Sequence, residues 1–320
     1  MTRDWLRPLG ATGLSVSPVT LGGGPLGSMP GIFGYDVAER DAIDLVRAVL
    51  DSDIRTIDTS NGYSEGESEA RIGRAIAEHG GLPDDALVIT KVDARGDDYS
   101  GDRVRRSLDE SRARLGMDYL PVVHLHDPEF HDFDMLTRPG GAVDALIEAR
   151  ERGEIGHVGV AGGDVHEMAR YLALGVFDVI LVHNRWTLVD RSAGSLLDSA
   201  AETGVAVVNA AVLGGGILTS TKTPSSNSRY GYRPARPTTL AAVERMQDVC
   251  REWGTDLATA AIRFSTREPR ICTTVVGISK TRRIESTIES ATVDLPQDFW
   301  NELETHVPTA EDWLDAHPQA

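Results

Sequence analysis

Cysteine is scarce in this chain, with only Cys250 and Cys272 in 320 residues. Cys250 falls in a helical pattern and Cys272 beside a strand, so buried free thiols are expected rather than a disulfide or a zinc site. Positive charge is in deficit too: 32 Lys and Arg face 49 Asp and Glu, a net charge of −17. That balance argues against nonspecific binding to nucleic acid or to an anionic membrane. No apolar run is long enough to span a bilayer, and Met1-Thr2-Arg3-Asp4-Trp5-Leu6 holds no apolar core of signal-peptide length. The expectation is a cytoplasmic protein that takes a small molecule, without nucleic acid or membrane, as a monomer or small homo-oligomer. Phosphate-loop signatures are also missing. Gly22-Gly23-Gly24-Pro25-Leu26-Gly27 has neither GxGxxG spacing nor GK[ST], and offers only backbone that a ligand could approach closely.

What the chain does contain is alternation. A hydrophobic content of 41% over this length can bury a full core. Leu6–Ser17 reads as a hairpin across the Gly10–Gly13 turn. Apolar runs at Val19–Gly22, Arg55–Asp58, Leu87–Lys91, Leu120–Leu125, His157–Val160, Asp178–Val182, Val205–Asn209 and Thr273–Val276 read as strands. Helical spacing separates them, as in Ala42, Leu45, Val46 and Val49, or Val104, Leu108, Ser111 and Leu115. Continuous rather than alternating apolar strands fit a sheet covered on both faces. Sustained strand–helix order without a composition break predicts an α/β fold, a (β/α)₈ TIM barrel. One domain over residues 1–320 is expected, with the N-terminal β-hairpin and extra C-terminal helices. The stretch 214–237, rich in Gly, Ser, Thr and Pro, is the one long irregular segment; its position after the seventh strand predicts a lid over a cofactor pyrophosphate, gripped by Arg229, Tyr230, Tyr232 and Arg233.

In a barrel the C-terminal strand ends face one another. Asp58 ends the second strand, Tyr63 follows it, Lys91 ends the third and His126 the fourth. Singly, Asp58 reads as a helix cap, Lys91 as a surface charge and His126 as a core histidine. Together they bring a carboxylate, a phenol, an ammonium and an imidazole to one pocket. An ammonium near a phenol favours phenolate, a carboxylate can hold the ammonium, and a tuned phenol can move a proton at a carbonyl or hydroxyl oxygen. A hydride carrier is then the missing part, and a nicotinamide supplies one.

These residues resemble the aldo-keto reductase family over nearly the whole chain, from Leu6-Arg7-Pro8-Leu9-Gly10 to Arg283-Ile284-Glu285. The family's Asp, its Tyr five residues on, and Gly-x-Ser-Glu opening a helix are present as Asp58, Tyr63, Gly66 and Ser68-Glu69; Lys91 and His126-Asp127-Pro128 match its next two motifs. The resemblance implies Tyr63 as general acid/base, Asp58 and Lys91 tuning it, and His126 orienting the substrate beside Asp127, with no metal. Val208–Ile217 and the His-Asp-Pro are similar to the branch that oxidises sugars at the anomeric carbon to lactones. The cofactor implied is NAD or NADP, with contacts at Gly24, Pro25, Leu26, Asp58, Leu213, Gly214, Gly216, Gly277, Ser279, Lys280, Arg283 and Thr287. Ala161-Gly162 stands where many relatives have Ser-Asn, His183 replaces a Gln, and Ala210 a stacking Tyr. Asn184 or Asn209 is therefore expected to hold the nicotinamide carboxamide. Lys280, Arg282 and Arg283 suit a phosphate.

Two other classes are open from sequence. A metal-dependent barrel hydrolase could use His124 and His126, which share a strand face. A regulatory barrel could hold the cofactor with little turnover.

Overall fold

The computed structural model describes residues 5–219, 224–225 and 227–316, with backbone alone at Ile32 and Phe33. Strands β1 (Arg7–Pro8) and β2 (Ser15–Val16) pair as the N-terminal hairpin. Then follow β3 (Val19–Gly22), α1 (Pro30–Phe33), α2 (Glu39–Leu50), β4 (Thr56–Asp58), α3 (Glu67–His79), β5 (Leu87–Val92), α4 (Gly101–Leu115), β6 (Leu120–His126), α5 (Phe133–Thr137) and α6 (Ala142–Glu151). The second half holds β7 (Ile155–Gly162), α7 (Val165–Leu172), β8 (Val179–His183), α8 (Gly194–Thr203), β9 (Ala206–Ala210), β10 (Arg229–Tyr230), β11 (Arg233–Pro234), α9 (Pro237–Glu252), α10 (Leu257–Thr266), β12 (Thr273–Gly277), α11 (Ile284–Thr292) and α12 (Gln297–Glu304). Eight parallel strands close in the order β12-β3-β4-β5-β6-β7-β8-β9. The chain folds as a (β/α)₈ barrel.

Period-2 alternation, hidden inside apolar runs, sorts the side chains. Leu87, Ile89, Val122, Ala161, Val179, Leu181, Ala206 and Val208 meet inside the barrel. Their neighbours Val88, Val123, Leu125, Val158, Val160, Ile180 and Val207 join Leu45, Val46, Leu108 and Leu146 between the sheet and the helices. Ile57 belongs to that outer layer and is 1% exposed. Truncating such a side chain costs about 2–5 kcal/mol, so packing behind Ile57 also fixes where Asp58 emerges. Several helix starts carry a side-chain cap: Ser100 accepts from the Arg103 N–H, Asp164 from the His166 and Glu167 N–H groups at α7, and Asp256 from the Thr259 N–H at α10.

Both cysteines are free thiols. Among the described residues no helix is long and apolar enough to cross a membrane. The stretch 214–237 is less irregular than its composition suggests. A 3-10 turn spans Gly214–Gly216, β10 and β11 pair as a hairpin, and α9 starts at Pro237; residues 220–223 and 226, also part of the expected lid, lie outside the described residues. Tyr230 is buried, its hydroxyl donating to the Asn184 carbonyl at 2.5 Å and meeting Thr187 Oγ1 at 2.7 Å, so it anchors the hairpin rather than gripping a ligand.

Candidate active site

The register of the barrel sets the catalytic face. Lys91 pairs with His124 and His126 with Ala161, so Lys91, His124 and His126 all point inward from β5 and β6. Lys91 is 1% exposed and donates to Asp58 Oδ1 and the Thr59 carbonyl, both at 2.6 Å. Asp58 Oδ2 is buried with no partner among the described residues. Burial pushes the Asp58 carboxyl up despite the attraction of Lys91. Tyr63 sits on the turn after β4, its ring 5.1 Å from Lys91 Nζ and 5.5 Å from the His126 ring, edge-on. The four groups that the sequence placed at separate strand ends therefore lie against one another.

One electrostatic expectation is reversed. Burial, then the carboxylate of Asp58 and further acidic groups, hold the Tyr63 phenol well above its ordinary value of 10, so Lys91 does not leave it as phenolate. Tyr63 stands ready as a proton donor. His126 is held from behind: its Nδ1 lies 2.6 Å from Asp93 Oδ1 and 3.1 Å from Ser60 Oγ, and its N–H donates to the Tyr99 hydroxyl at 2.8 Å. None of Asp93, Ser60 and Tyr99 was singled out from sequence. On the pocket side, Asp127 Oδ1 lies 3.7 Å from His126 Nε2 and 3.9 Å from His183 Nε2. Although burial opposes it, these imidazoles hold the Asp127 carboxyl far below the usual range. Tyr232, on the β10–β11 turn, packs edge-on against His183 at 5.7 Å. A cavity of about 570 Å³ adjoins His183 and Tyr232 and runs out past Glu129, Phe133 and Arg185. Asp127, Asn184 and Ala211, the first residues after β6, β8 and β9, all have φ between 45° and 62°. Strained exits of this kind gather at functional faces and cost of order 1–3 kcal/mol each.

The other histidine of the strand reads differently. His124 is fully buried against Gly159, and burial holds it well below its ordinary value. It is a neutral ring inside the barrel, which gives the hydrolase reading no second ligand at the pocket. Asp127, Glu129 and His183 bring three ligand atoms within 4.8 Å of one another, but the free Glu129 Oε2 is packed towards Gly162 and Met168.

The aldo/keto reductase family model matches residues 18–308. The chain belongs to the aldo-keto reductase family. It is 32% identical over 297 residues to L-galactose dehydrogenase of Arabidopsis thaliana, covering 91% of this chain and 89% of that protein. Pyridoxal 4-dehydrogenase of Microbacterium luteolum is 29% identical (93% and 96% covered), and D-threo-aldose 1-dehydrogenase of a Pseudomonas species 27% (92% and 94%). Among solved structures, an aldo-keto reductase of Bacillus halodurans in its holo form superposes with a TM-score of 0.78 at 20% identity, over 95% of this chain and 96% of that one. At that identity the likeness concerns the fold. Family membership makes this aldo-keto reductase an NAD(P)-dependent oxidoreductase.

The remaining expected cofactor contacts divide into two groups. At the ends of β3, β9 and β12, Gly24, Ala210, Leu213, Gly216, Gly277 and Ser279 are at least partly exposed, and a Cβ at Gly277 would meet Pro25 Cγ at 3.6 Å. Just beyond, Lys280, Arg282 and Arg283 are exposed and form no ion pair among the described residues. Three unpaired cations within four residues, in a chain of net charge −17, suit the phosphates of a dinucleotide. The residues here fit the cofactor that the family implies. The second group turns away. Asn209 points outward from β9, its amide donating to the Trp186 carbonyl at 2.9 Å and Ser265 Oγ at 2.8 Å, so it does not reach a carboxamide inside the barrel. Leu26 is fully buried in the outer core, leaving only its backbone to meet a ligand. The Thr287 hydroxyl is spent on the Arg283 carbonyl at 2.7 Å. Gly162 and Gly214 are needed for packing: a Cβ would meet Glu129 Oε2 at 2.5 Å in the first and the Tyr230 ring at 2.9 Å in the second. Asn184 is buried with φ 62°, its amide 3.1 Å from His183 Nδ1 at the inner wall, while Ala161 lines the barrel interior.

Proposed function

We propose that this aldo-keto reductase oxidises an aldose at C1 to its lactone, with NAD or NADP as hydride acceptor. The observation that carries this reading is the polar wall beside Tyr63: the Asp127 carboxylate between the imidazoles of His126 and His183. An ionised carboxylate accepts from two neighbouring hydroxyls, and the imidazoles add further polar contacts, which suits a polyhydroxylated substrate better than a plain aldehyde. The names of the three relatives above, two of them sugar dehydrogenases, support the same class. When bound, the nicotinamide supplies the hydride acceptor. Tyr63 exchanges the proton at the C1 oxygen, Lys91 and Asp58 set the charge around it, and His126 orients that oxygen. Lys280, Arg282 and Arg283 would hold the phosphates, and Asn184 the carboxamide.

A second reading is reduction of an aldehyde or ketone with NADPH, favoured by the protonated state of the Tyr63 phenol. A panel of aldoses, aldehydes and alcohols with both cofactors, followed as absorbance of reduced nicotinamide, tests both. The proposal expects lactone-forming oxidation of an aldose to be the fastest reaction. Turnover confined to carbonyl reduction would select the second reading, and oxidation of bound cofactor in a burst without steady turnover would select a regulatory barrel. In the same assay Arg283→Ala should weaken NADP more than NAD, by roughly 1.5–3 kcal/mol for a lost charged hydrogen bond. Equal loss for both would put the 2′-phosphate elsewhere.

A further inference from the structure

Asp93 is a half-buried carboxylate beside the tetrad that the reaction above does not use. It follows β5, two residues beyond Lys91, and its side chain is 19% exposed. Its oxygens divide their work. Oδ1 lies 2.6 Å from His126 Nδ1, while Oδ2 accepts the Gly62 N–H at 2.7 Å and the Ser60 hydroxyl. The Ser60–Tyr63 turn is shaped around this carboxylate: a Cβ at Gly62 would lie 2.8 Å from Asp93 Cγ. The same turn carries Tyr63. The His126 backbone is clamped as well, its N–H on Tyr99, whose hydroxyl donates to the Val92 carbonyl at 2.7 Å. An ionised carboxylate only accepts, so the proton between Asp93 and His126 belongs on Nδ1. Nε2 is then the ring atom left facing the pocket, on the side of Asp127.

We infer that Asp93 is a positioning residue for the reaction proposed above: it holds the Nδ1–H of His126, fixes Nε2 as the atom offered to the substrate oxygen, and places a negative charge behind the ring. The inference rests on the reading that His126 orients that oxygen. With Nδ1–H retained in both protonation states, Nε2 accepts from a hydroxyl when the ring is neutral and donates to a carbonyl when it is charged, without rotation. The groups facing the ring are Asp93 and Ser60 from behind, the Tyr63 ring at its edge, Lys91 and neutral His124 inside the barrel, Asp58 beyond Lys91, and Asp127 in front. Burial draws the imidazole down, but Asp93 first and Asp127 second outweigh it, and His126 ends above its ordinary value, with Lys91 opposing. Asp93 itself is held below the usual carboxylate range, against the effect of burial, by His126.

The test is nitrogen NMR of the full chain carrying ¹⁵N-histidine, with His126 assigned by loss of its signals in His126→Asn. In the parent, neutral His126 should be the Nδ1–H tautomer, the minor form of free imidazole. Asp93→Asn can keep the Gly62 bond through its amide oxygen while turning its NH₂ towards Nδ1. The His126 tautomer should then invert to Nε2–H, its pKa should fall by about one unit, a tenfold drop in proton affinity, and the limb of the kcat profile set by this ring should move with it. Ser60→Ala, which leaves the carboxylate in place, should keep the Nδ1–H tautomer. An unchanged tautomer and pKa in Asp93→Asn would overturn the inference. Absence of nicotinamide-dependent turnover in the parent would overturn the underlying reading instead, and the ring titration would still be measurable.

Discussion

Two buried ion pairs lie on the catalytic side of this barrel and are built to opposite plans. Lys91 and Asp58 meet at 2.6 Å with side chains 1% and 5% exposed; Arg185 and Asp315 meet at 2.9 Å, 6% and 0% exposed. Burial does not distinguish them, but saturation does. Asp315 receives Arg185 Nε on Oδ2 and Nη2 on Oδ1, and its Oδ2 also accepts the Val165 N–H at 3.1 Å. The neighbouring Leu314 N–H is taken by Asp190 at 2.8 Å. This forked, fully accepted carboxylate clasps the C-terminal tail onto the ends of β7 and β8. Asp58 keeps one oxygen without a partner among the described residues, and its Lys91 lies against the Tyr63 ring. A buried pair that only holds the fold has reason to satisfy every oxygen. One that leaves a buried oxygen unmet, at a desolvation cost of about 1–3 kcal/mol, calls for another explanation, and the proposed mechanism supplies one in what the pair does to Tyr63.

The sharpest way to break this comparison is to neutralise the working pair at both ends. In Asp58→Asn with Lys91→Met, no buried charge is left unpaired, and such replacements are often neutral or stabilising. Turnover should fall by at least about two orders of magnitude, while the unfolding free energy in urea stays within about 2 kcal/mol of the parent. Loss of stability in step with activity would make that pair structural too. The clasp should behave in the opposite way. Asp315→Ala strands the Arg185 guanidinium in the interior and should cost about 3–5 kcal/mol of stability, with turnover per folded molecule changed by less than about tenfold. If the urea midpoint does not move, the tail is not a clasp.

Much of the fold was legible because apolar runs and helical spacing are local. The tetrad was legible because Asp58 and Tyr63 share one turn motif, while Lys91 and His126 each close a strand. What escaped depends on contacts between distant segments. Asp315 lies 130 residues from Arg185, in a tail whose sequence shows no period. Asp93 sits on a loop, where only the approach of Gly62 and His126 gives it a role. The outward turn of Asn209, an expected cofactor contact, has another cause. Asn209 lies between Val208 and Ala210 on β9, and a period of two that faces Val208 into the barrel must turn Asn209 out. Tyr230 looked like a gripping group by composition, but hairpin pairing buries it. The Tyr63 phenol was expected to be drawn down by Lys91. Burial and the acidic groups around it prevail, a balance that only the packed pocket reveals.

The central claim, that Tyr63 moves the proton while other residues bind the cofactor, is tested most directly by single-turnover kinetics of Tyr63→Phe beside the parent, followed as reduced nicotinamide with saturating cofactor and the best aldose of the panel. The substitution removes one hydroxyl and almost no volume. The hydride-transfer rate should fall by about two to four orders of magnitude, with cofactor affinity from quenching of tryptophan fluorescence unchanged within about threefold, or under 1 kcal/mol. A variant that reduces the nicotinamide at close to the parent's rate would contradict the assignment.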